Sequence, residues 1–317
     1  MMRKENRIFR LYLLYAVLIA LVSVTGCDGD SSRSGSTELS GEWKLTVSET
    51  DADNDGITDV VTTYTYDADG NPVKVETADS NDPLVDSYVY TYDSEGKVVR
   101  EEVYEVHDGI VFQTLFHTYD SDGNLIRTET DSHADGTTDK VHIRAYDEYG
   151  NLAKEEWDDD NDGITDRIRT TVRTYDAAGN VTKEEHETDY ENDEVTDGRF
   201  VITYAYNEKG EMTQEKLDDG LLYTYTYDVE GNKTKEEIDN YGNGVGTDGF
   251  VTYTYDADGN IVREETYSHT AGRTAKVITR TFDENGNMTE EETDTDNDGT
   301  ADSVIRNTWE FFADTSV

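Results

Sequence analysis

From Tyr66 to Asn287 the chain keeps returning to one six-residue phrase, Tyr-Asp-x-x-Gly-Asn, with copies beginning at Tyr66, Tyr92 (ending in Lys97), Tyr119, Tyr146, Tyr175, Tyr206 (with Asn207 for Asp and Glu211 for Asn), Tyr227, Tyr255 and, with Phe for Tyr, Phe282. Successive copies lie 26, 27, 27, 29, 31, 21, 28 and 27 residues apart. A period in that range marks a repeated supersecondary unit that stacks on its neighbours, because one unit is too small to bury its own apolar face.

The residues around each phrase say what the unit is. Ahead of it, stretches such as Val251-Thr252-Tyr253-Thr254-Tyr255 alternate with the two-residue period of a strand. Within it, Asp suits the first position of a type I turn, and Gly supplies the left-handed backbone that closes a short hairpin loop. After it, a return strand such as Ile261-Val262-Arg263-Glu264-Glu265 follows, and its base-then-Glu-Glu ending recurs at Lys154-Glu155-Glu156, Lys183-Glu184-Glu185 and Lys235-Glu236-Glu237. The fold class is therefore all-β: an antiparallel β-hairpin repeat array of about eighteen strands, a meander that twists or curls into a superhelical sheet. The Tyr stripe marks one face, but the return strands carry apolar residues at two successive positions, so the pattern leaves open which face is buried. Charge on every return strand speaks against an outer-membrane barrel, where a midplane base costs about 2–4 kcal/mol.

The phrase resembles the YD repeats of the Rhs type, over roughly residues 64–286. That resemblance implies a long hairpin array of the kind that closes into hollow shells, and it carries little about activity. The period here is longer than the usual YD unit, and no toxin-like domain is expected after the repeats.

A second signature, Asp-x-Asp-x-Asp-Gly-x-x-Asp, occupies three inter-hairpin loops: Asp51, Asp53, Asp55, Gly56, Asp59; Asp158, Asp160, Asp162, Gly163, Asp166; and Asp294, Asp296, Asp298, Gly299, Asp302. Carboxylates at positions 1, 3, 5 and 9, with Gly permitting a sharp bend at 6, wrap a loop around a hard divalent cation, and Ca2+ is the expected ion. Four carboxylates in one loop also repel one another unless a cation lies among them. The loops resemble those of EF-hands, dockerins and thrombospondin type 3 repeats. They depart from the EF-hand at position 12, where Thr62, Arg169 and Ile305 stand in place of a bidentate Glu. Incomplete copies, Asp131, Asp135, Asp139 and Asp189, Glu191, Asp193, Asp197, read better as plain turn chemistry.

Arg3, Lys4, Arg7 and Arg10 precede an apolar run from Leu11 to Val24 that ends in Val24-Thr25-Gly26-Cys27. This is the pattern of a secretory signal peptide, and the run is short of the roughly 20 residues of a membrane-crossing helix. Its end resembles the lipobox of bacterial lipoproteins, which implies lipidation of Cys27, the chain's one cysteine. The expected organisation is a lipoprotein signal at 1–26, a lipidated Cys27 and flexible tether at 27–42, and the repeat domain at 43–317. Localisation follows as the bacterial cell envelope, lipid-anchored, with the outer membrane or cell surface favoured.

Removal of residues 1–26 leaves 23 basic against 71 acidic side chains, a net charge of −48, which repels nucleic acid. No His-Glu-x-x-His, P-loop or Gly-x-Ser-x-Gly element is present, and the six histidines have no zinc spacing. The sequence thus points to a non-catalytic, calcium-stabilised, membrane-anchored envelope protein with a structural, adhesion or surface-interaction role, its partner an envelope or extracellular polysaccharide or protein. The alternative is a glycan-binding module that uses exposed Tyr stripes such as Tyr223, Tyr225 and Tyr227.

Overall fold

Alternation of Tyr with Thr before each phrase, and of apolar with charged residues after it, produces strands with two differently dressed faces. In the computed structural model, which describes residues 41–80, 82–105, 110–193, 195–240 and 248–313, each of the nine phrases closes one antiparallel hairpin. The signal segment, Cys27 and most of the tether lie outside the described residues.

The strands run β1 (Gly41–Asp51), β2 (Val60–Tyr66), β3 (Pro72–Asp79), β4 (Asp82–Tyr92), β5 (Val98–Glu105), β6 (Ile110–Tyr119) and β7 (Leu125–Asp131). They continue as β8 (Lys140–Tyr146), β9 (Leu152–Asp158), β10 (Arg167–Tyr175), β11 (Val181–Tyr190), β12 (Gly198–Tyr206), β13 (Met212–Leu217) and β14 (Leu222–Tyr227). The rest are β15 (Lys233–Asp239), β16 (Gly249–Tyr255), β17 (Ile261–Ser268), β18 (Arg273–Phe282), β19 (Met288–Asp294) and β20 (Ser303–Ala313). Among the described residues no helix is long and apolar enough to cross a membrane.

Each phrase is a five-residue turn held by its own Asp, or by Asn207 in the phrase that begins at Tyr206. Asp67 N–H donates to the Asn71 carbonyl at 2.9 Å and Gly70 N–H to the Asp67 carbonyl at 3.2 Å. The Asp67 carboxylate accepts from the amides of Asp69 and Asn71, both at 2.9 Å, and from the Asn71 side chain at 3.2 Å. Gly70 has φ +81°, a conformation that favours glycine. Hydrogen bonds to the charged form hold such carboxyls below the usual range. At Asp120 the largest contribution comes from the Asn124 side chain. The register then slips beside every phrase: Tyr92 opposes Val98 while Thr91 opposes Arg100, so Val99 has no partner. This bulge is why two apolar residues stand in succession after the turn, a pattern that blurred the strand's faces at the sequence level.

The nine hairpins supply β2 to β19, and β1 and β20 are additional strands. An even number of meandering strands leaves the first and last antiparallel, and here they pair along a seam from Gly41↔Ala313 to Asp51↔Val304. The sheet is consequently a closed 20-stranded antiparallel barrel. Closure removes both free edges, so the aromatic run at Trp309–Phe312 is part of the seam instead of a cap over an exposed end. Trp43 and Phe311 meet there with ring centroids 5.5 Å apart. Strand β1 also takes in Gly41 and Glu42, the end of the expected tether.

Burial is distributed along the wall. Tyr64, Val75, Tyr88 and Val103 oppose one another in turn across β2 to β5 and form a buried row. Val277 and Ile278 are both buried although consecutive strand residues point to opposite faces, so both faces hold apolar surface. Both carry charge as well. On the face away from the tyrosines a base pairs with the Glu two residues on, as in Arg100–Glu102 at 2.8 Å, Lys154–Glu156 at 2.8 Å and Arg263–Glu265 at 2.9 Å. On the tyrosine face, Arg173 meets Glu184 at 2.6 Å and Arg280 meets Glu291 at 2.7 Å.

The phrase tyrosine joins hairpin to hairpin. Its hydroxyl donates to the first carbonyl of the preceding return strand: Tyr92 to Pro72 at 2.7 Å, Tyr119 to Val98 at 2.8 Å, Tyr206 to Val181 at 2.8 Å and Tyr255 to Lys233 at 2.8 Å. Tyr66 makes the same bond to Leu45 at 2.7 Å. Where Arg173 takes the Leu152 carbonyl, the Tyr175 hydroxyl turns to the Asp147 carboxylate at 3.0 Å. Trp309 fills the role at the seam, donating from Nε1 to Met288 at 2.9 Å.

A candidate metal-binding rim

Since every phrase turn lies at one end of the barrel, the alternate connections lie at the other, and the three complete acidic loops share that rim. They join β1 to β2, β9 to β10 and β19 to β20. Each loop is shaped by its own carboxylates. Asp51 accepts from Asp55 N–H at 3.1 Å and Gly56 N–H at 2.9 Å, and Asp59 accepts from Ala52 N–H at 2.9 Å. The same bonds recur from Gly163 to Asp158 at 3.0 Å and Asp159 to Asp166 at 2.6 Å, and from Gly299 to Asp294 at 2.9 Å and Thr295 to Asp302 at 2.7 Å. The fourth residue, Asn54, Asn161 or Asn297, takes positive φ of 53°, 56° or 57°, which Asn tolerates better than other non-glycine residues.

This fold gathers three of the four carboxylates. One oxygen from each of Asp51, Asp53 and Asp59 lies within 4.8 Å of the others, and the same holds for Asp158, Asp160 and Asp166 and for Asp294, Asp296 and Asp302. The position-5 carboxylates of Asp55, Asp162 and Asp298 are aimed at the loop itself, each accepting from the amide two residues on at 2.8 Å. Three convergent anionic oxygens suit a hard cation that completes its shell with backbone carbonyl or water. Positions 1, 3 and 9 are thus the geometric core of each candidate site.

Two features of the rim escaped sequence reasoning. Asn54 Nδ2 donates to the Ala301 carbonyl at 2.7 Å and Asn161 Nδ2 to the Thr138 carbonyl at 2.8 Å, so the fourth loop residue ties two of the three loops to the one beside it. Its recurrence at position 4 was visible, but its partner depends on which strands adjoin. The second is the loop from Asp131 to Asp139, which keeps the same bonds, from Gly136 to Asp131 at 2.8 Å and Ser132 to Asp139 at 2.7 Å, while His133 replaces the position-3 carboxylate and lies 3.2 Å from Asp139. The loop geometry therefore survives with an imidazole where the others place a third acid.

The tyrosines of the alternative reading are engaged. Tyr223, Tyr225 and Tyr227 are half-buried, with the Tyr225 hydroxyl on Glu215 at 3.2 Å and that of Tyr227 on the Met212 carbonyl at 2.7 Å.

No family model matches the chain, and no curated protein matches it. Solved structures with some likeness include a TcdB2-TccC3-TEV crystal structure, from the Rhs/YD-repeat-containing Tc toxins, at 17% identity and TM-score 0.35, covering 86% of this chain and 17% of that one. A Photorhabdus luminescens Tc holotoxin pore matches at 12% identity and TM-score 0.31, over 74% of this chain and 15% of that one. A porin-like protein from Bacteroides uniformis matches at 10% identity and TM-score 0.35, over 84% of this chain and 98% of that one. The chain thus spans about a sixth of the toxin chains, and these likenesses are at the level of β architecture alone.

Proposed function

We propose that this is a non-catalytic, lipid-anchored protein of the bacterial cell envelope whose barrel is stapled at one rim by calcium and serves a structural, adhesive or surface-contact role. The observation that carries the reading is the threefold recurrence of the same carboxylate triad on one rim. A cation in each triad relieves the repulsion among its acids and fixes the loop that ties to its neighbour. Affinities of about 10⁻⁴–10⁻³ M, usual for extracellular calcium modules, fit a standing structural ion better than a signal. The lipobox-like Val24-Thr25-Gly26-Cys27 supports the anchor, and outer membrane or cell surface is the favoured destination.

Thermal unfolding of the protein lacking residues 1–27, followed across a calcium titration, tests the staple. Each filled site adds about 2.7 kcal/mol when free calcium is a hundredfold above its Kd. The transition should rise with calcium and respond less in a D53N/D160N/D296N variant. A transition that ignores calcium through the millimolar range removes the reading. Loss of membrane association in C27A tests the anchor separately.

A further inference from the structure

In a chain with 72 acidic and 27 basic side chains, a base without a close acid is unexpected, and Arg167 on the tyrosine face of β10 is one. On the opposite face the repeated base-then-Glu pairs neutralise themselves at 2.7–3.0 Å, as in Lys74–Glu76 and Lys183–Glu185. Arg167, by contrast, has no described carboxylate within the 4.0 Å of an ion pair and lies over the Trp157 ring at 4.2 Å. Arg169, on the same face two residues along, pairs with Glu155 at 4.0 Å, lies over the Phe200 ring at 6.0 Å, and has a side chain 42% exposed. Arg144, across β9 and directly opposite Glu155, donates to Thr128 at 3.0 Å and to His142 at 2.7 Å.

Directly opposite Arg167 on β11 stands Tyr190, 54% exposed, and opposite Arg169 stands Thr188. Trp157, Arg167 and Tyr190 thus form one row across three strands, with Glu155, Arg169 and Thr188 in the next. The indole fixes the plane of the Arg167 guanidinium while leaving its N–H edge free for a bidentate acceptor. Arginines two residues apart on a strand stand about 6.7 Å apart, a spacing for two acidic groups or for an acidic group and a hydroxyl. The exposed Tyr190 ring offers an apolar plate with a polar tip.

We propose that Trp157, Arg167, Arg169, Thr188 and Tyr190 form a binding surface for an acidic saccharide, with the sugar ring on Tyr190 and its carboxylate on the Arg167 and Arg169 forks. An acidic peptide fits less well. The closed sheet has no free edge for an extended chain to join, and this stretch of wall offers hydroxyls and guanidinium groups instead of apolar side-chain pockets. Acidic loops flank the row on the rim, so a short or terminal uronate is favoured over a long polyanion, whose outlying charges they repel. This deepens the surface-contact part of the proposed function by naming the partner's chemistry, and it uses none of the triad residues, so the two readings fail separately.

Calorimetric titration of the protein lacking residues 1–27 with trigalacturonic acid, in calcium-containing buffer, tests it against the neutral galactose trisaccharide. The uronate should bind at least about tenfold more tightly than the neutral sugar, and R167A/R169A and Y190A should each weaken it about tenfold or more. R263A, which removes an arginine from the opposite face, should leave affinity unchanged. Equal binding of the two sugars by the unaltered protein overturns the proposal without reliance on any variant. So does unchanged affinity in a folded R167A/R169A protein, or an oligoglutamate peptide binding as tightly as the uronate.

Discussion

At the scale of single residues, the phrase tyrosine has two duties that one side chain joins: its ring covers the wall and its hydroxyl satisfies a carbonyl in the preceding hairpin. Burial pushes the Tyr66 hydroxyl up to about 12, so it remains a donor across the physiological range. Y119F removes the bond to Val98 while keeping the ring, and should cost about 0.5–1.5 kcal/mol in urea unfolding. Glu101 is the residue whose charge the fold opposes. It is buried between Tyr90 and Leu115, its directly opposed neighbours, and burial pushes its carboxyl up to about 7 from 4.5. The folded state therefore holds a proton there that the unfolded chain has released, and Glu101's contribution to stability falls as pH rises from about 4.5 to 7. E101Q should be more stable than the unaltered protein at pH 8, by something on the order of 3 kcal/mol, with the gap closing at pH 4; a gap independent of pH would refute the account.

At the scale of elements, phrase turns at one rim alternate with connections at the other, and the phrase turns and the acidic loops are shaped by side-chain oxygens that accept from nearby amides. The turn is self-sufficient, since its Asp is satisfied within five residues. The acidic loop gathers three acids without a base, and its His133 variant shows the same backbone with one acid fewer. H133D restores acids at positions 1, 3, 5 and 9 of that loop, so under the calcium reading it should add one bound ion to the calorimetric stoichiometry. An unchanged stoichiometry would separate loop shape from ion binding. The β13–β14 connection, Asp218-Asp219-Gly220-Leu221, replaces a long loop with a tight turn, which accounts for the short 21-residue interval between Tyr206 and Tyr227.

At the scale of the whole molecule, closure leaves no strand edge of the barrel unpaired. Gly41 and Ala313 are paired across the seam, so the ends of the barrel are adjacent. A circular permutant that links them and opens the chain between Asp219 and Gly220 should fold with a far-UV spectrum like that of the parent, because it keeps every ladder. Deletion from Ser303 onward should instead expose the edges of β1 and β19 and yield aggregates by size-exclusion chromatography with light scattering. A monomeric, fully folded deletion product would mean that the seam contributes little.

Local order was legible because its causes are local. The two-residue period sets strands, Asp-x-x-Gly sets turns, and spaced aspartates set the acidic loops, each within about ten residues of chain. The bulge beside Tyr92 was not legible, since it appears in sequence only as the ambiguous pair Val98-Val99, and neither was the diversion of Asp55, Asp162 and Asp298 onto their own loop amides. The bond from Asn54 to Ala301 and the row Trp157–Arg167–Tyr190 unite residues whose proximity depends on strand order and register. By itself, then, the sequence determined a chain of antiparallel hairpins. That the hairpins curl until β1 meets β20, and that three acidic loops share one rim, was decided by tertiary structure, because twist and shear accumulate over twenty strands and no short stretch encodes their sum.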